Sequence, residues 1–586
     1  MAAMVRTGVS ASSIIGKLDR GMEFKVISAC FNDASVWSHS GKDCDFYLEE
    51  DRWNDYSYYT MYHLHATCRL KGGSENEYLG YIRIMRIGQK EGEVNLVRDV
   101  TNGRVFTSLP DDFVSLSLNV SLFRRLRKLL NAEQRQEFVE ALQVIIGPTS
   151  PLLEKVDGDE CFINSLLRDD ASVDGFHMRQ IESYMLGKSA FYDLRQEAIT
   201  VQFSHVENPV DLKFVCRDDD GKDDFSTVGL PDGVVVFVGK NGSGKSTAMY
   251  KLARLIHSDP TLRFSLKESL GEIFPSDIGV NKLLIFSYTP FDNFYLPGMD
   301  EAQLLSQLKN LEYEDCSVLF NGIRDMLSEM EQRAKNAQGI PKDGRVETIC
   351  LKPNEALCSE FLIALKYIET AGANREQLWN GFFSACRLHQ QNLYDDLDRI
   401  ISAPEESKYE EFAKTATGHK FIIHSIARLI AYIEEDSLVL FDEPENHLHP
   451  PLLSFYYARV RKIIDSYSSV AFIATHSPVI VQETFARNVN IVRRLDGKTV
   501  IGQPQIETYG ATITSITSEV FDLTTDKMNT YNVFHRIFDN EMLYLDDNPE
   551  QVIDDFKKAI GGEISGPMES YLLKLYFDKR AKDVDS

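Results

Sequence analysis

The sequence predicts an α/β fold built on a mostly parallel sheet, with a β-rich α+β unit before it and a mainly helical region after it. Three observations carry that prediction. Compact apolar runs ("GVVVFVG", "KLLIFSY", "SLVLFDEP" and "SSVAFIATHSP") recur between helical stretches, and strands apolar on both faces belong to parallel sheets covered by helices on both sides. A glycine-rich loop, "GKNGSGKST", joins one such strand to a helix. Before about residue 150 the pattern changes to β-branched and aromatic runs with partial alternation, the mark of antiparallel strands.

In chain order, "EFKVISACF", "YTMYHLHATCRL" and "EYLGYIRIMRIG" are the expected strands of the first unit, residues 1–150, which is expected to serve a partner or assembly interface. "SLNVSLFRRLRKLLNAEQRQEFVEALQVIIG" carries apolar residues at helical spacing and is expected to be helical as far as Gly147 and Pro148. "VDGDE" and "RDDASVDG" read as loops, and "RQIESYMLGKSAFYDLRQEA" as a helix in a linker over 151–198. The second unit, 199–496, opens on the strands "ITVQFSHV" and "DLKFVC", passes an acidic loop, "RDDDGKDD", and reaches "GVVVFVG" and the helix "KSTAMYKLARLIHS". A helical insertion is expected over about 300–411. Residues 497–586 begin with one or two strands and continue as helices, and the chain shows no internal repeat or low-complexity segment.

Composition narrows the class. The 586 residues carry a formal net charge of −25, from 63 basic and 88 acidic side chains. That opposes a protein coated for nucleic-acid binding, because phosphate contacts need Lys and Arg, although a local basic groove is compatible with it. Nine scattered cysteines without a CxxC pair indicate a reducing compartment and no structural zinc. The N-terminal stretch lacks the apolar core of a signal peptide. The most apolar helical run, "FIIHSIARLIAYI", contains His424 and Arg428 and is too short and too polar to span a bilayer. A cytoplasmic protein with no membrane contact is expected.

Three motifs carry chemistry. "GKNGSGKST" fits G-x-x-x-x-G-K-[ST] in the required strand–loop–helix context. Gly239, Gly242 and Gly244 let the backbone wrap closely around phosphate. Together with Lys240, Asn241, Ser243 and Thr247 they form a loop whose amides, with the helix N-terminus, face the anion. Lys245 is expected to pair with the β- and γ-phosphates of ATP, and Ser246 to hold Mg²⁺. "LVLFDEPENHLHP" places carboxylates at the C-terminal end of a buried strand, where α/β sheets bind ligands. Asp442 is the second expected Mg²⁺ residue, and Glu443 is expected to orient or deprotonate the attacking water. "FIATHSP" ends the next strand on His476, within expected reach of the γ-phosphate.

These elements in this order resemble the ABC-type ATPases. "GKNGSGKST" is similar to their Walker A loop, "LVLFDEP" to their Walker B strand, "ENHLHP" to their D-loop and "ATHSP" to their switch histidine. The resemblance covers about Ile199 to Arg494. It implies ATP and Mg²⁺ as ligands and a head-to-head dimer, in which a signature loop opening a helix before Walker B grips the nucleotide of the other subunit. "TATGHK" holds that place. Thr417, Gly418 and Lys420 are its expected contacts, while Thr415 and Ala416 stand where the family has leucine and serine. A Gly-containing helix start is the plain alternative. A second departure is "SYTPFDNF", where the family has a glutamine; Ser287, Asp292 and Asn293 are the candidate substitutes, and slow or regulated hydrolysis is expected.

Within the class, "HLHP" and "THSP" resemble the RecF, SMC and OLD group. The longer strings "ATGHKFIIHSIARLIAYIEEDSLVLFDEPENHLHPPLL" and "QIETYGATITSITSEVF" are similar to PtuA-type ATPases of Septu and retron-associated antiphage systems. That resemblance implies a regulator of a separately encoded HNH nuclease, in the retron version restrained by a reverse transcriptase with its RNA–DNA hybrid. The alternative is a RecF- or SMC-like DNA-binding repair or recombination ATPase, which needs a basic channel.

Weaker signals have plain readings. The tail offers Asp546 and Asp547 but no strand-borne glutamate with an Asp-x-Asp pair, so no nuclease of its own is expected. His63, His65 and Cys68 read as strand residues rather than a metal site. Arg124, Arg125, Arg127 and Lys128 read as a solvated helix face. Tyr56, Tyr58, Tyr59 and Tyr62 read as core or interface packing.

Overall fold

The computed structural model describes residues 21–28, 43–71, 76–167, 176–186, 194, 198–214, 232–258, 260–276, 278–290, 294, 301–336, 349–495, 498–521, 529–540 and 548–584. The expected loops at 168–175 and 217–224, Asp292, Asn293, Asp546 and Asp547 lie outside these residues.

The first unit is a five-stranded sheet in sequence order: β1 (Phe24–Ile27), β2 (Phe46–Glu50), β3 (Met61–Ala66), β4 (Glu77–Arg86) and β5 (Phe113–Leu116). Its first pair is parallel and the others antiparallel, a departure from the all-antiparallel expectation. The helix expected to reach Gly147 is two helices, α1 (Val120–Leu129) and α2 (Ala132–Ala141). Asn131 breaks the run because its side chain caps α2 in a reciprocal capping box with Gln134. A further helix, α3 (Phe176–Leu186), follows. One hydrophobic core runs from Met22 to Met185 and takes in Phe162, Leu166 and Ile181. The boundary expected at 150 therefore falls inside a packed core, and the segment read as linker helps to build it. Tyr58 and Tyr62 are buried there, while Tyr56 is exposed. His63 and His65 pair with Asp51 (2.9 Å) and Glu49 (3.1 Å), and no cluster of three or more metal-ligating side chains occurs among the described residues.

The second unit begins with β6 (Ile199–Phe203) and β7 (Val210–Leu212), then β8 (Val234–Val238), α4 (Lys245–His257) and β9 (Gly271–Phe274). β10 (Lys282–Ser287) and β11 (Val318–Gly322) follow, then the lobe helices α5 (Asn354–Thr370) and α6 (Ala373–His389). α7 (Thr417–Tyr432), β12 (Ser437–Asp442), α8 (Pro450–Ser466), β13 (Val470–Thr475), β14 (Val489–Leu495) and β15 (Lys498–Gly502) complete it. β7, β6 and β9 make a small antiparallel sheet. The main sheet has the order β11-β10-β12-β13-β8-β14-β15, parallel except for the edge strand β15. β11 is a correction, because it lies within the stretch expected to be helical.

Successive residues of each buried strand point to opposite faces. Val234, Val236, Val439 and Phe441 join a core with α5–α8, while Val235, Phe237, Leu438 and Leu440 join a core with α4 and the small sheet. That division is why these strands are apolar at every position. The tail helices Asn529–Asn540, Pro549–Ile560 and Gly566–Val584 pack around Phe538, Phe556 and Leu572. No helix among the described residues is long and apolar enough to cross a membrane.

The basic helix α1 is not a solvated face. Arg124 is 2% exposed. It donates to the Tyr184 hydroxyl (3.0 and 3.1 Å) and the Asp315 carbonyl (2.5 Å), and pairs with Glu434 at 3.3 Å. Arg125 pairs with Asp315 (2.5 Å) and Arg127 with Glu435. Glu434, Glu435 and Asn281 precede β12 and β10, so α1 docks the first unit onto the N-terminal edge of the main sheet, opposite the glycine-rich loop.

Candidate nucleotide site

Strand register brings the three motifs to one edge. Val238 pairs with Thr475, Ala474 with Asp442, and Asp442 with Ser287. The residues that follow these strands (Gly239, Glu443, His476 and Tyr288) therefore emerge side by side at the C-terminal end of the sheet. Gly239 is required by close approach, since a Cβ there would lie 2.2 Å from the Val492 carbonyl. Gly242 has φ 74°, with nothing within 4 Å of the Cβ position, so the loop arches over open space.

Inside the loop, Lys245 Nζ lies 2.8 Å from His476 Nε2 and donates to the Lys240 carbonyl at 3.3 Å. Ser246 donates its hydroxyl to Asp442 at 2.8 Å. Glu443 Oε1 lies 3.0 Å from the same His476 nitrogen, and Asn446 donates to Glu443 Oε2 at 3.1 Å. Glu443 adopts a left-handed conformation (φ 48°), uncommon for a non-glycine residue, and its N–H is held by the Ala474 carbonyl at 2.9 Å. The hydrogen bond with His476 holds the Glu443 carboxyl down at about 2, against the opposing effect of burial. Burial lowers Lys245, and Glu443 and Asp442 oppose that shift.

One group was not singled out in the sequence. Glu445 accepts from the Thr475 hydroxyl at 2.8 Å and from the His476 N–H, and burial raises its carboxyl. It fixes the backbone that carries His476. The third carboxylate of "DEPEN" was the available signal.

Lys245, Ser246, Asp442, Glu443 and His476 thus form one group. Thr417, Gly418 and Lys420 form a second, at the start of α7. There Ala416 is the N-cap residue, without a side-chain cap. A Cβ on Gly418 would lie 2.5 Å from the His447 carbonyl, so the glycine is required by packing against the loop that follows Glu443. Lys420 turns back to the Ala413 carbonyl (2.8 Å), in its own subunit. Gly418→Ala is expected to force α7 away from that loop and to lower the melting temperature, which calorimetry would read; an unchanged melting temperature would remove the packing argument. Of the candidate glutamine substitutes, Ser287 is buried beside Asp442, and its hydroxyl has no hydrogen-bond partner among the described residues.

The residues present fit a phosphate chain and a divalent cation. An arched glycine loop ends on a helix N-terminus, and a hydroxyl–carboxylate pair (Ser246 and Asp442) lies beside a lysine. Strand order, glycine loop and carboxylates together give the geometry of a P-loop nucleotide-binding domain with a mostly parallel sheet.

A family profile described as an AAA domain, putative AbiEii toxin of a type IV toxin–antitoxin system, matches residues 420–482, the span from the start of α7 past His476. Protein ea59 of Escherichia phage lambda is 25% identical over 531 residues, covering 88% of this chain and 93% of that protein. Among solved structures, an ATP-binding cassette of an ABC transporter in its ADP conformation aligns with 58% of this chain and 99% of its own, at 11% identity and a TM-score of 0.26. The SMC head domain from Thermotoga maritima aligns with 53% and 99%, at 11% identity and a TM-score of 0.22.

Proposed function

We propose that the protein binds and hydrolyses ATP between two copies of itself and uses that cycle to control a separately encoded nuclease in antiphage defence. The observation that carries the catalytic half is the convergence at one sheet edge of two hydrogen-bonded sets, Lys245–His476–Glu443 and Ser246–Asp442. Mg²⁺, held by Ser246 and Asp442, would screen the phosphate charge. The residues do the rest. Lys245 leaves His476 for the phosphates. His476 Nε2, which carries one hydrogen and can serve one partner at a time, donates to Glu443 or turns to the γ-phosphate. Glu443, kept ionised, orients water. Thr417 and Gly418 offer the α7 N-terminus to the nucleotide of the partner copy, and Lys420 adds charge once it leaves Ala413.

The regulatory half rests on the resemblance to PtuA-type ATPases. It makes an HNH-type nuclease the expected partner, with a reverse transcriptase and its RNA–DNA hybrid in the retron version. The ea59 alignment extends well beyond residues 199–496, which supports treating the N-terminal unit as part of the working protein.

Lys245→Ala tests the site. Losing charge-assisted bonds of about 1.5–3 kcal/mol should weaken MgATP binding roughly 10- to 100-fold, read by titration with a fluorescent ATP analogue; unchanged affinity would reject the assignment. Purification of the native complex tests the partner, and recovery without any nuclease would reject the regulatory half.

A further inference from the structure

Behind the phosphate end of β10 runs a chain of buried polar side chains that the nucleotide site does not use. The Tyr288 hydroxyl lies 2.7 Å from His424 Nδ1 on α7, and His424 Nε2 lies 3.1 Å from Glu360 Oε2 on α5. Glu360 also pairs with Lys352 (2.8 Å) and lies 3.9 Å from Arg428, whose Nε donates to Asn321 of β11 at 2.5 Å. The direction of the chain follows from charge. Burial would raise the Glu360 carboxyl, but Lys352 and Arg428 more than reverse this and hold it below its ordinary range. Burial pushes His424 down to about 4, so its ring is neutral. Nε2–H then donates to Glu360, and Nδ1 accepts the Tyr288 hydroxyl.

Both ends lie where motion would matter. Tyr288 follows Ser287, the register partner of Asp442, and its carbonyl is 3.5 Å from His447 Nε2 in the loop after Glu443. At the far end Glu360 adjoins Phe361, whose ring lies 6.4 Å from that of Trp379 on α6. Buried polar groups are costly when left unpaired, so this chain favours the packing in which β10, α7 and α5 keep one arrangement.

We propose that the Tyr288–His424–Glu360 chain is a positioning relay that ties the nucleotide end of the sheet to α7 and the helical lobe, so that nucleotide at Asp442 and Glu443 shifts α5 and α6 with α7. The inference rests on the nucleotide-site reading above. Tyr288 is a positioning residue, acting through the loop beside the site.

The test uses the full chain with Trp37 and Trp53 replaced by Phe, leaving Trp379 as the sole indole of the three. MgATP is expected to shift Trp379 emission. Tyr288→Phe removes one hydroxyl and keeps the ring against Phe421, 4.5 Å away. It should leave KM within about twofold, lower kcat about tenfold and abolish the shift. Tyr457→Phe, which loses a comparable buried bond to Thr484 (2.9 Å), should change neither kcat nor the shift. A wild-type shift in Tyr288→Phe, or no shift in the parent protein with ATP bound, would overturn the relay. A parent protein that binds no ATP analogue would instead overturn the nucleotide reading, and the relay with it. If ATP binds but is not turned over, the emission shift alone decides.

Discussion

Glu443→Gln is expected to lower ATP turnover by at least about a hundredfold, the lower range for a lost acid–base or water-orienting group, while MgATP affinity stays within about threefold. The amide is close in shape and can still accept from Asn446, but it cannot hold the negative charge that faces the attacking water. The resting geometry refines the role. His476 keeps the Glu443 carboxyl at about 2, which makes it a weak proton acceptor and a good orienting anion. With His476 kept on Glu443, protonation of Glu443 produces no acid limb in the rate profile above about pH 4, since its charge is lost only as pH falls toward 2; a limb above that is the result expected if His476 turns to the γ-phosphate. Phosphate release at saturating ATP, with analogue binding measured in parallel, checks the prediction. A variant that hydrolyses at the wild-type rate would mean Glu443 is misassigned.

Arg124→Ala should be strongly destabilising although it lies outside the site. It strips the Asp315 carbonyl and the Tyr184 hydroxyl of a donor and leaves Glu434 with one fewer buried cation. Breaking a buried pair by deleting one partner costs about 3–5 kcal/mol. Because α1 docks the first unit onto the main sheet, thermal unfolding should move to lower temperature and separate into two transitions. Acid should mimic the change. Burial alone would raise the Glu434 carboxyl, but Lys282 and Arg124 hold it at about 2, below its unfolded value near 4.3. Its contribution is thus present above about pH 4.3 and is lost as pH falls toward 2. An Arg124→Ala protein that melts like wild type would show that the docking is not stabilising.

The three motifs of the candidate site were legible because their information is local. "GKNGSGKST", "LVLFDEP" and "FIATHSP" each join a strand to its chemistry within a few residues, and buried parallel strands in register then bring the three together. What sequence reading missed is non-local. The charges of Arg124, Arg125 and Arg127 at helical spacing look solvated until Asp315, Glu434 and Glu435 arrive from far along the chain. β11 escaped because "VLFNG" is a short apolar run inside a helix-rich stretch, and its identity comes from pairing with β10. His424 counted only as a polar residue in an apolar run, and its hydrogen-bond partners Tyr288 and Glu360 come from far along the chain. Gly418 was read for what it offers a phosphate; its packing against His447 is invisible without the fold.

The central claim is that nucleotide joins two copies, with Lys245 of one and Gly418 of the other on the same phosphates. Sedimentation equilibrium of the Glu443→Gln protein, with and without MgATP, tests it most directly. The account predicts the 66.6 kDa chain alone and twice that mass with MgATP, the gain being lost when Lys245→Ala is added. A single-chain mass with ATP demonstrably bound would contradict it.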